Sequence, residues 1–111
     1  MTETVAVGPW NGAGQHLLCP RCGGEYMHQS RVVVKNREDG REDGSGAAVT
    51  IAGTGATVVP LPAGLMDGRR QSLWIEFVCE FCVGGLWLCM EQHKGHTHMT
   101  WEKHAPRGMV A

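Results

Sequence analysis

The sequence lacks both a long hydrophobic run and an excess of charge of one sign. No stretch approaches the roughly 18 apolar residues of a membrane-spanning helix. The N-terminus, MTETVAVGPW, has neither the basic region nor the apolar core of an export signal. The 10 basic and 11 acidic residues give a net charge of −1, which provides no general attraction to nucleic acid or anionic lipid. We therefore expect a cytoplasmic protein that does not bind membranes.

Phenylalanine and tyrosine are scarce as well, with two Phe and one Tyr against four Trp. At 111 residues the chain has room for one domain with a modest core, so a bound metal ion would add noticeably to its stability. The 16 glycines favour turns and strands over long helices. The composition thus predicts one small, mainly β domain.

Cysteine is the residue type that stands out, because four of the five cysteines form two pairs with the same spacing, C-P-R-C and C-E-F-C. Glycines follow each pair, so residues 19–24 and 79–85 both fit a zinc knuckle, a tight turn whose backbone N–H groups point at the thiolate sulfurs. Zinc takes four ligands in a tetrahedron, and two knuckles supply them. The predicted ligands of one zinc ion are Cys19, Cys22, Cys79 and Cys82.

Two other uses of these cysteines compete with the zinc site. A redox pair would place its second cysteine in a helix, whereas Gly23 and Gly24 follow the first pair at once. Disulfides are disfavoured in a reducing cytoplasm. Four thiolates leave no coordination position for water, and catalytic zinc needs one. The predicted zinc is therefore structural, the protein is predicted not to be an enzyme, and no small-molecule substrate is evident.

Strand and turn signals predict a zinc-ribbon-type antiparallel β domain over residues 16–104. A flexible arm, residues 1–15, precedes it, and a flexible tail, residues 105–111, follows it. Within the domain a long β insertion, residues 31–72, separates the two knuckles. The insertion holds the strand RVVVK, a tandem REDG turn and the segment AAVTIAGTGATVVPLP, which predicts two short strands around GTG. The strand SLWIEFV then leads into the second knuckle.

Residues 86–102 predict a hairpin whose two-residue turn is Lys94-Gly95. In the register that this turn sets, His93 opposes His96. The same register places apolar pairs on one face of the hairpin, namely Leu88 with Trp101 and Met90 with Met99.

The opposite face of this hairpin collects residue types that bind metals. One interpretation is that this face forms a second metal site or a catalytic cluster. A polar, solvated face with Cys89 half-buried beside Trp87 is the simpler one, and we favour it because no evident partner orients the imidazoles. The residues of the candidate second metal site are Cys89, His93, His96 and His98.

Four motifs occur in order along the chain, namely CPRCGGEYMHQSRVVV, REDG, RRQSLWIEFVCEFC and LWLCMEQHKGHTHMTWE. With these motifs the chain resembles small zinc-ribbon proteins of actinobacterial phages, prophages and integrative elements. The resemblance spans residues 16–102. It implies a four-cysteine zinc ribbon in the cytoplasm of a bacterial host, and it implies no particular activity. The duplicated REDG and the middle segment rich in Gly and Ala depart from the pattern.

Two functions follow as hypotheses. The first is a small protein-interaction module that binds a host or phage protein, with candidate contacts at Arg69, Arg70, Trp74 and Lys94. The alternative is a nucleic-acid-binding zinc ribbon in which Trp74 stacks on bases beside a basic surface. The basic residues available for that surface are Arg21, Arg31, Lys35, Arg37, Arg69 and Arg70.

Overall fold

A computed structural model describes residues 2–3, 5–10, 12–37, 43–67 and 70–109 of the chain. These residues form seven strands and one short 3-10 helix, Ala63–Leu65. In chain order the strands are β1 (Thr2–Glu3), β2 (Met27–Arg37), β3 (Gly46–Ala52), β4 (Gly55–Leu61), β5 (Gln71–Cys79), β6 (Gly85–His93) and β7 (His96–Glu102).

The strands form a single antiparallel sheet in the order β1-β7-β6-β5-β2-β3-β4. The predicted mainly β, antiparallel class is thus confirmed. Two meanders of consecutive strands, β2-β3-β4 and β5-β6-β7, make up six of the seven strands, and β1 pairs with β7 at the edge. The two meanders join where β2 pairs with β5. Among the described residues, no helix has the length or hydropathy to cross a bilayer.

The C-terminal hairpin has the predicted register. Leu88 pairs with Trp101 and His93 pairs with His96. Both turn residues have positive φ, 48° at Lys94 and 81° at Gly95. Such a turn twists in the sense that flanking strands require, and it fixes which residues oppose each other.

Neighbouring residues of a strand point to opposite sides of the sheet, and we name the two sides the Leu88 face and the Trp87 face after adjacent residues of β6. The buried core of the Leu88 face is formed by Phe77, Leu86, Leu88 and Trp101. Val5 and Leu17 of the N-terminal segment pack against this core. Val7 also bridges to Leu17. The segment predicted to be a flexible arm is therefore joined to the sheet by β1, and Val5 packs on the core of the Leu88 face.

A second core lies on the Trp87 face, and the sequence did not predict it. Its buried residues are Val33, Ala48, Leu61, Met66 and Trp87. Leu65 of the β4–β5 connection and Met109 pack against this core. Pro106 is buried as well. The tail predicted to be flexible from residue 105 is thus packed as far as Met109, since Pro106 is buried and Met109 packs on this core.

A buried ion pair fixes the β4–β5 connection to the sheet. Lys35 is fully buried, and its Nζ lies 2.9 Å from Asp67 Oδ2. Lys35 Nζ also donates a hydrogen bond to Leu65 O at 2.7 Å. Asp67 Oδ2 accepts hydrogen bonds from Ser72 Oγ and Trp74 Nε1. The charges are thus paired and hydrogen-bonded, as burial requires.

Candidate metal centre

The first knuckle is a closed turn that leads into β2. Gly23 N donates to Cys19 O at 2.8 Å, and Cys19 N donates to Gly24 O at the same distance. Gly23 has a φ of 75°, which a side chain would strain. Gly24 N points at Cys22 Sγ, 3.4 Å away. The predicted role of glycine in this turn is therefore confirmed.

The second knuckle begins at Cys79, the last residue of β5, and leads into β6. Cys82 N donates to Cys79 O at 3.4 Å, and Phe81 N points at Cys79 Sγ at 3.4 Å. The residue with positive φ here is Gly84, two positions after the second cysteine rather than one. Both knuckles thus have an N–H to sulfur contact, but it reaches the second cysteine in the first knuckle and the first cysteine in the second knuckle.

The fold brings the four predicted ligands together, because β2 and β5 are neighbours in the sheet. Their sulfur atoms all lie within 4.8 Å of one another. The separation is 3.9 Å between Cys19 Sγ and Cys82 Sγ, and 3.6 Å between Cys22 Sγ and Cys79 Sγ. A tetrahedral ion with metal–sulfur bonds of about 2.3 Å needs sulfur atoms about 3.8 Å apart. The donor set therefore fits a metal ion, and the sulfurs are too far apart for disulfides.

The electrostatics of the four sulfurs also favour a cation. Burial would raise the pKa of Cys19, but the backbone N–H groups of Arg21 and Cys22 stabilise its thiolate and lower the pKa to about 7. Burial and the neighbouring sulfurs raise the pKa of Cys82 to about 12. Without a cation, ionisation of one cysteine therefore makes ionisation of the neighbouring sulfurs less favourable. A divalent ion removes this repulsion and allows all four cysteines to ionise.

Contacts outside the sulfurs hold the knuckles side by side. Arg21 Nη1 donates to Val83 O at 2.8 Å and to Gly84 O at 3.2 Å. Across the same junction, Glu80 N donates to Tyr26 O at 3.1 Å. Sequence reasoning grouped Arg21 with the basic surface residues and missed this structural contact. The only available signal was its position inside the C-P-R-C turn.

The hairpin residues of the candidate second metal site do not converge. Cys89 is buried, with 4% of its surface exposed, and burial together with the carboxylates of Glu91 and Asp67 raises its pKa to about 12. The three histidines of the hairpin are exposed. Within the described part of the chain, the four-cysteine set is the only group of three or more metal-binding side chains close enough to share an ion. The histidine end of this face is therefore solvated, as expected, but Cys89 is buried beside Trp87 rather than half-buried.

Two of the predicted partner contacts lie in one groove. Arg70 and Lys94 line a groove of about 1000 Å³ at the end of the sheet away from the knuckles. Trp74 lies elsewhere, partly buried on the Trp87 face. Arg69 is outside the described residues. The other lining residues are Asn36, Arg37, Gln71, Leu73, Met90, Glu91, Gln92, Gly95 and Thr97.

Comparison of the chain with protein-family models, curated proteins and solved structures finds no match. The resemblance to phage zinc-ribbon proteins therefore depends on the motif residues alone.

Proposed function

We propose that this protein is a non-enzymatic interaction module whose sheet is held together by one structural zinc ion. The observation that supports this proposal is the closed set of four cysteine sulfurs at tetrahedral spacing. Four thiolates suit zinc and leave no position for a reacting water. In line with the motif resemblance, we further propose a phage or mobile-element origin and a reducing bacterial cytoplasm, where such thiolates persist.

Native mass spectrometry with and without a strong chelator tests the metal. We expect one zinc per chain, and we expect its removal to broaden the charge-state distribution as the chain unfolds. Cys79→Ser removes one of four ligands and should abolish stoichiometric binding. Cys89→Ala is the matched control, since Cys89 is buried away from the knuckles, and it should keep one zinc. A folded chain that never holds metal, or one that holds iron, would contradict the proposal.

The interaction surface that we propose is the groove at the far end of the sheet. Arg37 N donates to Arg70 O at 2.9 Å, which places two basic residues side by side in the wall. Lys94 adds a third positive charge, and Glu91 is the only acidic residue among the described residues that line the groove. Gln71 Nε2 donates to Asn36 Oδ1 at 2.9 Å, so amide groups are also present for hydrogen bonding. These groups suit an acidic segment of a partner protein.

A labelled hexaglutamate peptide tests this surface by fluorescence anisotropy, with hexalysine as the opposite-charge peptide. Arg70→Ala and Lys94→Ala should each weaken hexaglutamate binding by about fivefold, as expected for the loss of one partly solvated charge contact. Lys103→Ala removes an exposed lysine outside the groove and is the matched control. Equal binding of the two peptides, or an equal effect of the control, would exclude this surface.

Three of the residues proposed for nucleic-acid binding are buried or held by other contacts. Lys35 is buried and cannot reach a phosphate. Arg31 pairs with Glu76 at 2.8 Å and lies over the Trp87 ring. Trp74 is partly buried and donates its indole N–H to Asp67, so its ring is not presented for stacking. A single-stranded oligonucleotide in the same anisotropy assay would reveal binding that these contacts do not support.

A further inference from the structure

The part of the Leu88 face away from the knuckles carries a run of apolar side chains that the described residues leave uncovered. The N-terminal segment covers only the half that contains Trp101. Beyond it, Val58 is 67% exposed, Met99 50% and Ile51 45%. The residues of this open patch, assigned by the strand register, are Val32, Val34, Val49, Ile51, Ala56, Val58, Leu73, Met90 and Met99. Isolated exposed aliphatic residues are normal, but a contiguous apolar sheet face indicates an interface.

Charge is distributed unevenly between the two faces of the described strands. In the strands that carry the patch, the ionisable residues of β2, β5 and β6 point to the opposite side of the sheet, the Trp87 face. Examples are Lys35, Glu76 and Glu91. His96 and His98 of β7 lie on that face too. Around the patch, the described strand residues of the Leu88 face are uncharged, and the rim is made of Gln29, Asn36, Gln71, Gln92 and Thr97. An apolar centre with an uncharged polar rim is the usual composition of a protein interface.

We propose that this patch is the dimer interface of the protein and that its occupant is the same patch of a second copy. A twofold axis places identical surfaces against each other, so every charge on such a surface would meet a like charge near the axis. A surface without charge avoids this repulsion. The net charge of −1 adds almost no long-range repulsion between two copies. Leu73 and Met90 belong both to this patch and to the groove, so dimerisation and binding of an acidic segment would exclude each other.

The size of the patch is sufficient for a weak, reversible dimer. It crosses six strands, β4 to β7 in sheet order, and comprises nine residues with a rim of five. On one face of a sheet each residue covers about 4.8 Å across the strands and about 6.6 Å along them, so these 14 residues correspond to roughly 440 Å² on each copy. Two copies therefore bury roughly 900 Å², without counting the relief of the side chains, which is the size of weak and transient interfaces. Two such faces pack about 10 Å apart with strands nearly aligned, as in a β-sandwich.

Sedimentation velocity of the full, zinc-loaded chain over a wide concentration range tests the proposal. We expect a monomer–dimer equilibrium. Val58→Glu places a charge in the interface and should weaken dimerisation at least about a hundredfold, because the charge would be buried without a partner. Because Val58 is exposed in a single chain, this change should leave zinc content and circular dichroism unchanged. Thr57→Glu, an exposed neighbour on the opposite face, should leave the dimer intact.

A second pair of variants separates face-to-face packing from pairing through the edge strand β4. Met99→Lys lies on the far side of the patch, in β7, and should also weaken the dimer, whereas His98→Lys on the Trp87 face should not. A dimer that is insensitive to Met99→Lys would overturn the proposed interface. A chain that stays monomeric at every concentration, with zinc bound, would overturn the dimer itself.

Discussion

Cys89 shows how strongly the surroundings of one residue decide its chemistry. It has the same side chain as the four knuckle cysteines, but it is buried within the sheet, between Trp74 and Thr100, rather than beside other sulfurs. Its pKa of about 12, raised by burial and then by nearby carboxylates, means that about one molecule in ten thousand carries the thiolate at pH 8. A thiol with an ordinary pKa of 9.0 would be ionised in about one molecule in ten at the same pH.

We therefore predict that Cys89 resists alkylation in the folded protein. Only the thiolate reacts with iodoacetamide, so a raised pKa keeps the residue unreactive at pH 8 and allows reaction only as the pH rises towards 12. Peptide mapping by mass spectrometry after a timed reaction measures this directly. The control is the same reaction in denaturant, where Cys89 should react fully. Rapid modification of Cys89 in the folded, metal-bound chain would contradict its burial in the sheet.

At the scale of elements, the turn of the C-terminal hairpin sets the geometry of two strands. Gly95 has a φ of 81°, a conformation that costs a residue with a side chain about 1 kcal/mol. Gly95→Ala should lower the free energy of unfolding by about this amount in denaturant titrations. Gly64→Ala is the matched control, because Gly64 has open space around it, and its effect should stay within about 0.5 kcal/mol. An equal loss in both variants would contradict the assigned turn.

The elements that the sequence predicts are those whose pattern is local. A two-residue turn fixes its own register, so the pairing of Leu88 with Trp101 followed from Lys94-Gly95 alone. The two strands around Gly53 and the strand before Cys79 followed from alternation and turn residues. The cysteine pairs predicted which sulfurs would meet, since a metal needs four ligands whatever the length of chain between them.

The second core has no comparable local pattern. Residues 62–67 and 105–109 contain prolines and glycines and lack periodicity, so nothing in the sequence indicates that Met66 and Met109 cover the sheet. The same cause explains why Cys89 and Lys35 were expected near solvent although both are buried. Burial on the Trp87 face depends on segments that are distant in sequence.

At the scale of the whole molecule, the two cores lie at different distances from the metal centre. The core of the Leu88 face contains Phe77 and Leu86, which lie two residues before Cys79 and four after Cys82. The other core includes Val33 of β2 and Trp87 of β6, but it draws mainly on β3, β4 and the β4–β5 connection. We therefore expect loss of the ion to release the N-terminal segment and the ends of β5 and β6 before it affects the β3–β4 hairpin, because local stability follows local contacts.

Hydrogen–deuterium exchange with and without chelator tests this order. After chelation, amide exchange in residues 17–29 and 77–88 should accelerate at least about tenfold more than exchange in residues 46–61. The metal-bound Cys89→Ala variant is the control for a change in the interior that leaves the ion bound. Uniform acceleration along the chain would show that the two cores unfold as one unit and would contradict this expectation.

The boundary between the two meanders has one more consequence. Each meander carries its own C-x-x-C turn, so a break in the chain between Leu61 and Gln71 would yield two fragments, each with three neighbouring strands and half of a metal site. Neither fragment holds four sulfurs, and each leaves a central strand, β2 or β5, without its partner. We therefore expect the fragments to reassemble more tightly in the presence of the ion, which would add to the pairing of β2 with β5. Such a pair of fragments would report the supply of metal through its reassembly.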